Sequence, residues 1–185
     1  MPYQLPKYTR RGLETHTFAV GAVDATVIST ITAALTALYP PRNALVLINP
    51  VSGLKKGLRQ YTTIVAPILT AGNITTTVVT TTHPAHATEY VKEAALEGYD
   101  MIIGAGGDGI MYEILAGVKA RADSDCVLAR IAFGIVPVGS GNGLAKSVTA
   151  GRGEKCDCWG VGYLIAKGGV GAGKLMEIGG AETTR

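Results

Sequence analysis

The feature that most constrains this chain is a glycine-rich turn, Gly104-Ala105-Gly106-Gly107-Asp108-Gly109, between a strand pattern and a helix pattern. The apolar run 101–103 before it predicts a buried strand, and residues 110–118 after it carry apolar side chains at helical spacing. Such a turn offers free backbone N–H groups and the positive end of a helix dipole, and both favour a phosphate group. Asp108 would repel that anion unless a metal ion or a proton transfer uses its carboxylate.

Two further junctions of the same kind flank this one along the chain. The strand pattern 44–48 runs into Asn49-Pro50-Val51-Ser52-Gly53, with a helix expected just after Lys56. The strand pattern 131–138 runs into Gly139-Ser140-Gly141-Asn142-Gly143, with a helix expected over 144–148. In an open parallel sheet the loops after the strands line one crevice, which is where ligands bind. The three loops therefore predict one shared binding crevice.

Two other interpretations of the central turn compete with this one. Gly104, Gly106 and Gly109 match the dinucleotide fingerprint, but that fingerprint belongs to the first strand of its unit and this turn follows the third predicted strand. The acidic residues at about 20 positions downstream, Asp123 and Asp125, fall in a polar segment and not at a strand end. A plain tight turn is the remaining alternative, and the second such turn after residue 138 counts against it.

The segments between these loops predict an α/β fold. Residues 57–69 and 84–97 have helical patterns, 74–80 is a β-branched strand pattern, and 119–130 is a polar loop. Thr81 or Thr82 is expected to cap the second of these helices, with Pro84 in its first turn. Alternating strands and helices predict a parallel sheet flanked by helices, with right-handed crossovers.

Composition excludes several classes of protein. The chain has 185 residues, 47% of them hydrophobic and 17% charged, which predicts a folded domain with a real core. A net charge of +3 is too small to favour nucleic acid as a partner. Cys126, Cys156 and Cys158 have neither the number nor the spacing of a disulfide framework or a zinc site.

The two ends of the chain are ambiguous from sequence. Residues 1–40 predict a polar tail and then a helix over 17–39 that packs on the sheet; Asp24 and several Ser and Thr residues disfavour the alternatives, a membrane span or a targeting signal. Gly168 to Lys174 matches a phosphate-binding loop, but Leu175 stands where that motif needs Ser or Thr. We expect a flexible loop there, followed by an edge strand over 175–178.

Taken together, the three motifs resemble the diacylglycerol kinase catalytic domain over roughly residues 40–178. Each motif is weak alone, and their order and spacing are specific; residues 137–145 are most similar to the sphingosine kinase branch. The resemblance implies the N-terminal fold shared by diacylglycerol kinases, NAD kinases and phosphofructokinases. It also implies a domain division into a tail and helix (1–40), a nucleotide-binding catalytic domain (41–178) and a truncated end (179–185) that lacks the second, β-sandwich domain.

The same resemblance implies an ATP-dependent lipid kinase that transfers the γ-phosphate to the primary hydroxyl of a sphingoid base or related lipid. ATP would carry Mg²⁺ into the site, so no metal held by the protein alone is expected. The location implied is cytoplasmic, with transient contact at a membrane surface. A nucleotide-binding remnant without turnover, a diacylglycerol- or ceramide-type kinase, and a soluble-substrate kinase similar to NAD kinase stay open as alternatives.

The resemblance also assigns roles to individual residues. Asp108 would accept the proton of the lipid hydroxyl, and Gly106, Gly107 and Gly109 would surround the phosphates. Glu113 would hold Mg²⁺ or nucleotide indirectly, unless it is only an exposed helix carboxylate. The expected ATP contacts are Asn49, Pro50, Val51, Lys56, Thr81, Thr82, His83, Pro84, Ala85, Glu113, Gly139, Ser140 and Gly141. Val51, Leu54 and Tyr112 depart from the residues common in the family.

Overall fold

A computed structural model describes residues 25–53 and 55–168 of the chain. It contains four strands and eight α-helices in the described part, and one π-helical turn, Tyr61–Val65, that joins two of the helices into one continuous segment. In chain order the elements are α1 (Ala25–Leu38), β1 (Arg42–Ile48), α2 (Gly57–Gln60), α3 (Ala66–Ala71), β2 (Ile74–Thr80), α4 (His86–Glu93), β3 (Met101–Gly106), α5 (Asp108–Lys119), α6 (Ser124–Arg130), β4 (Ala132–Pro137), α7 (Gly143–Ala150) and α8 (Cys158–Ala166).

The four strands form one parallel sheet in the order β2-β1-β3-β4. In the register, Leu45 of β1 lies opposite Thr77 of β2 on one side and Ile102 of β3 on the other. The chain runs outward from β1 to β2, returns to β3 and continues to β4, so β1 and β3 are the neighbours at which the direction of winding changes. This confirms the predicted α/β sheet, and ligand crevices form at such a switch point.

Two apolar cores lie on the two faces of the sheet. In β1, Val46 and Ile48 face the segment from α2 to α3 and helix α8, while Leu45 and Leu47 face helices α4 to α7. All four side chains are fully buried. A strand covered on both faces needs apolar residues at every position, so β1 has an unbroken apolar run instead of alternation. The two cores hold the carboxyl ends of β1, β3 and β4 in place.

Several predicted elements differ in extent from the structure. Strand β3 continues through Gly106, so the turn itself is a single residue, Gly107. The segment 119–130 is not a polar loop throughout, because α6 forms within it and buries Val127 in the core that helices α4 to α7 cover. The helix predicted over 57–69 is present, but Leu58, which the helical spacing predicts on its apolar face, is 43% exposed.

The start of α4 was also predicted incorrectly. The helix begins at His86, ends at Glu93 and has Ala85 in a left-handed conformation at its N-cap, with no side-chain cap. Thr81 instead donates its backbone N–H to the carbonyl of Ile48 at 2.8 Å. The N–H of Thr82 donates to Nδ1 of His86 at 3.0 Å. The turn is therefore held by main-chain and histidine contacts, and no threonine hydroxyl caps the helix.

Helix α1 corrects the expectation for the N-terminal part. It forms within the predicted span, but none of its residues is buried, so it does not pack on the sheet. Val27, Ile28, Ile31, Leu35 and Leu38 are each between 48% and 71% exposed. No helix in the described ranges is long and apolar enough to cross a membrane. The loop and edge strand expected beyond Gly168 lie outside the described residues.

Candidate functional site

A cleft of about 350 Å³ opens at the carboxyl ends of β1, β3 and β4. Each of the three glycine-rich loops contributes to its walls, and the first two turns of α5 complete it. The residues that line it are Asn49, Ser52, Gly53, Gly107, Asp108, Gly109, Ile110, Glu113, Gly139, Ser140 and Gly141. The structure thus brings together the three motifs that lie far apart in the sequence.

The loop after β1 folds over towards the loop after β4. The side-chain Oδ1 of Asn49 accepts the N–H of Val51 at 3.0 Å, and the backbone N–H of Asn49 donates to the carbonyl of Ala105 at 3.0 Å. Gly53 has a φ of +47°, and a Cβ there would overlap the carbonyl oxygen of Val138. The left-handed backbone and the close approach both require glycine at this position.

The loops after β3 and β4 meet backbone to backbone. The N–H of Gly139 donates to the carbonyl of Gly106 at 3.1 Å, and a Cβ on Gly139 would lie 2.6 Å from the backbone nitrogen of Gly107. Atoms of real side chains do not approach this closely, so a larger residue at position 139 would push the loops apart. The glycines therefore set the narrow side of the cleft.

Asp108, the first residue of α5, does not point freely into the cleft. Its Oδ2 accepts the N–H of Gly143 at 2.8 Å and its Oδ1 accepts the N–H of Leu144 at 3.0 Å, both at the start of α7. These two hydrogen bonds, from Leu144 and Gly143, lower the pKa of the Asp108 carboxyl, with a smaller contribution from the charge of Lys146. The side chain is exposed, ionised near neutral pH and tied to the neighbouring loop.

Glu113 lies one helical turn beyond Asp108 and bridges two elements. Its Oε2 accepts the N–H of Ala87 in the first turn of α4 at 3.3 Å, while its carbonyl accepts the hydroxyl of Thr88 at 2.9 Å. The residue is partly buried and also lines the cleft. Glu113 is therefore more than an exposed helix carboxylate, because it joins α5 to the start of α4.

Part of the predicted site lies outside the lining of the cleft. This group comprises Pro50, Val51, Lys56, Gly106 and residues 81–85. Val51 is 69% exposed, and Thr81 is buried below the surface of the turn. The turn 81–85 follows β2, which is an edge strand two positions away from β3, and its histidine His83 stacks on His86 at 4.8 Å between ring centroids.

Sequence reasoning missed three residues that line the cleft: Ser52, Gly53 and Ile110. Ser52 and Gly53 belong to the first motif and could have been included, because the turn after β1 presents the whole motif to the crevice. Ile110 carried no such signal. Its side chain lies under Gly106, where a Cβ would come within 2.9 Å of Ile110 Cγ2.

The lining fits a phosphate group accompanied by a divalent cation. The first N–H groups of α5, at Asp108 and Gly109, have no intrahelical acceptor and lie beside the helix dipole. Glu113 supplies a carboxylate, a type of ligand that Mg²⁺ uses in ones and twos together with substrate phosphates. Among the described residues no group of three or more metal-binding side chains occurs, so a cation here would depend on ligands brought by the phosphates.

Comparison with known proteins identifies a matching family and several relatives. The family model for the diacylglycerol kinase catalytic domain matches residues 43–177. Sphingosine kinase 1 of Arabidopsis thaliana is 32% identical over 134 residues, which is 72% of this chain and 27% of that protein. Ceramide kinase of Mus musculus is 36% identical over 111 residues, covering 54% of this chain and 21% of that protein.

A solved structure agrees with the fold. A diacylglycerol kinase from Bacillus anthracis superposes with a TM-score of 0.55 at 27% identity, covering 69% of this chain and 42% of that one. The chain spans about a quarter of the length of the curated relatives it matches. The family match, the relatives and the superposed fold agree with one another, and this chain belongs to the diacylglycerol kinase catalytic domain family.

Proposed function

We propose that the cleft is the nucleotide site of a lipid kinase of the sphingosine kinase type, which transfers the γ-phosphate of ATP to the primary hydroxyl of a sphingoid base. The observation that carries the proposal is the meeting of three glycine-rich loops around Asp108 at the switch point of a parallel sheet. The kinase relatives support the reaction class, and the two named relatives differ in lipid. The sphingoid acceptor rests on the similarity of residues 137–145 and on the sphingosine kinase among the named relatives.

In this proposal ATP supplies the phosphoryl group, and Mg²⁺ neutralises its charge. The N–H groups at the start of α5 orient the phosphates, and the loop 139–141 closes the opposite wall. Asp108 accepts the hydroxyl proton on a carboxylate oxygen; each oxygen can accept a second hydrogen bond beside the one from α7. Its lowered pKa makes it a weak base, which suits a loose transition state in which the proton leaves late.

Nucleotide binding without turnover is the second candidate function. Ile110 is the single large apolar side chain in the lining of the described cleft, so this cleft offers little surface to a long lipid chain. Holding both reactants together contributes up to about 7–11 kcal/mol to a two-substrate reaction. In this proposal the residues that line the cleft hold ATP, which is the phosphate donor of the two substrates.

Calorimetry with ATP and Mg²⁺ tests the nucleotide site. We expect binding, and we expect Gly107→Asp and Ser140→Asp to weaken it because each places a negative charge beside the phosphates. Gly98→Asp is the matched control, since Gly98 lies away from the cleft lining and has open space around it. If all three variants bound Mg-ATP equally well, the nucleotide would not bind in this cleft.

Transfer of radiolabelled phosphate from ATP separates the two candidate functions. We expect the chain alone to phosphorylate sphingosine, diacylglycerol and ceramide slowly or not at all. Fused to the β-sandwich domain of a sphingosine kinase, it should phosphorylate sphingosine, and Asp108→Asn should abolish that activity. A fusion that binds ATP and transfers nothing would support nucleotide binding without turnover.

The proposed acceptor also bears on where the chain works. A lipid hydroxyl is presented at a membrane surface, so we propose a cytoplasmic protein that contacts that surface transiently. Carbonate extraction should release the chain from membranes, and Asp24 is one reason, since an acidic residue costs about 3 kcal/mol at a bilayer centre. Recovery only in the membrane pellet would contradict this.

A further inference from the structure

Helix α7 is not capped by its own N-cap residue. Asn142 is in a left-handed conformation with φ 53° and makes no side-chain cap. Its amide is used inside the loop, where Nδ2 donates to the carbonyl of Gly139 at 2.6 Å and Oδ1 accepts the N–H of Gly139 at 3.1 Å. The free N–H groups at the start of α7 therefore need another acceptor.

Asp108 of α5 is that acceptor. Its two oxygens take the N–H groups of Gly143 and Leu144 at 2.8 and 3.0 Å, so one carboxylate binds two successive donors. The loop is fitted closely around it: a Cβ on Gly143 would lie 3.3 Å from Asp108 Oδ2, and one on Gly141 would lie 3.6 Å away. A carboxylate at a helix N-terminus is also favoured by the helix dipole.

The same loop is also held at a second point, the end of β3. Gly139 donates its N–H to the carbonyl of Gly106 and lies against the backbone of Gly107. One end of the loop is thus hydrogen-bonded to the end of β3, and the other end is hydrogen-bonded to α5 through Asp108. Ser140 and Gly141 lie between the two fixed points and line the cleft.

We propose that Asp108 is a positioning residue for the third glycine-rich loop: its carboxylate fastens the start of α7 to the start of α5 and so sets the width of the phosphate side of the cleft. This role is additional to the proton acceptance assigned above and rests on the proposed function only where nucleotide binding is concerned. The fastening itself is a property of the free protein. It implies that changing Asp108 alters the donor site as well as the transfer step.

The fastening can be tested without nucleotide or lipid by NMR of the full chain. The amide proton resonances of Gly143 and Leu144 should titrate with the Asp108 carboxyl as the pH is lowered, and the titration should vanish in Asp108→Asn. Asp100→Asn is the matched control, because Asp100 also accepts a backbone N–H, from Asn43 at 2.7 Å, at the opposite end of the sheet. Amides that do not titrate, or that still titrate in Asp108→Asn, would overturn the proposal.

A second pair of variants leaves Asp108 untouched. Leu144→Pro deletes one of the two donors at a position in the first helical turn, where proline is tolerated, and Leu144→Ala keeps the donor. We expect Leu144→Pro to raise the pKa of Asp108 towards its ordinary value and to raise the dissociation constant for Mg-ATP about two- to tenfold, the contribution of one hydrogen bond. Leu144→Ala should change neither quantity.

The outcomes separate the two proposals. A raised Asp108 pKa with unchanged Mg-ATP affinity would refute the positioning role while leaving the fastening in place. An unchanged Asp108 pKa in a folded Leu144→Pro protein would refute the fastening itself. If Leu144→Pro does not fold, the amide titration decides alone. Absence of Mg-ATP binding in the unaltered chain would count against the proposed function and leave the titration result standing.

Discussion

Side chains of opposite charge hold the helices at the two ends of the parallel strands. We call the end where the strands finish the carboxyl edge and the end where they begin the amino edge. At the carboxyl edge, Asp108 and Glu113 accept N–H groups from the first turns of α7 and α4. At the amino edge, Arg42 donates to the carbonyl of Ala166 at the end of α8, and Arg121 donates to that of Val91 near the end of α4. Both arrangements complement the helix dipole.

The two edges differ in how many hydrogen bonds these charged side chains make and in how exposed they are. The side chain of Arg121 is 10% exposed and binds three carbonyls as well as Asp123. Asp108 is exposed, and Glu113 is partly buried beside an open cleft. The arginines at the amino edge bind carbonyl groups of the protein and serve stability, while the carboxylates at the carboxyl edge stay within reach of a ligand. Substitutions at the two edges should therefore separate stability from binding.

The largest expected effect is at the amino edge. Arg121→Ala should lower the free energy of unfolding by about 3 kcal/mol, because it leaves the carbonyls of Val91, Lys92 and Ala94 without their donor. Thermal unfolding measures this, with the exposed Arg59→Ala as the control expected within about 0.5 kcal/mol of the parent. Mg-ATP affinity should not change. A loss of affinity in a folded Arg121→Ala protein would break the proposed division between the edges.

The next effect is at the carboxyl edge. Gly139→Ala should weaken Mg-ATP binding about tenfold or more, since the added methyl group forces the loops after β3 and β4 apart. Gly109→Ala is the matched control: a Cβ there meets nothing within 4 Å, and alanine is favoured over glycine inside a helix by up to about 1 kcal/mol. Calorimetry with both variants is the measurement. Similar losses in the two would show that any added methyl group disturbs the cleft.

A smaller effect is expected on the pH dependence of unfolding, to which one aspartate at each edge contributes. Hydrogen bonds from Leu144 and Gly143 lower the pKa of Asp108, and a hydrogen bond from Arg121 lowers the pKa of Asp123, both below the ordinary 3.8. A lowered folded pKa stabilises the protein above the unfolded value, and this stabilisation is lost as the pH falls through the folded pKa. Unfolding measured below about pH 4 should therefore depend less on pH in Asp108→Asn and in Asp123→Asn. Carboxyl midpoints at or above 3.8 in NMR titrations would contradict this.

The smallest expected effect is at Glu113. Glu113→Gln keeps an oxygen that can accept the N–H of Ala87, so unfolding should change by less than about 0.5 kcal/mol. Glu113→Ala removes the acceptor and should cost about 1 kcal/mol, as for loss of a helix cap. If Glu113 also serves the cation, Glu113→Gln should raise the Mg²⁺ concentration needed for nucleotide binding. Equal unfolding of both variants would show that the contact with α4 contributes nothing.

Most of the sheet could be predicted from sequence. The fully apolar run in β1 and the runs in β3 and β4 identify buried parallel strands, because such strands are covered on both faces. The meeting of the three loops in one crevice could be predicted too, because the loops after neighbouring parallel strands lie at the same end of a sheet. The lack of room for a side chain at Gly53 and Gly139 is visible only in the structure. In these segments the local sequence pattern predicts the same structure that long-range packing produces.

Other features depend on contacts that a local pattern does not contain. Helix α6 forms in a polar stretch because Val127 is buried in the apolar core that helices α4 to α7 cover. The lowered pKa of Asp108 arises from donors 35 and 36 residues away in sequence. The cap of α4 is lost to a contact between Thr82 and His86, which a count of helix-capping residues does not anticipate.

Helix α1 and helix α5 are of similar length, but α1 buries no residue and α5 buries five. Without burial, a helix is governed by the balance between a costly first turn and weak propagation, and isolated helices under about 12–15 residues are marginal in water. Half of α1 consists of Thr, Val and Ile, whose branched side chains propagate helices poorly. In the chain alone, α1 should lose its ellipticity gradually on heating, well below the cooperative transition in which α5 melts with the sheet.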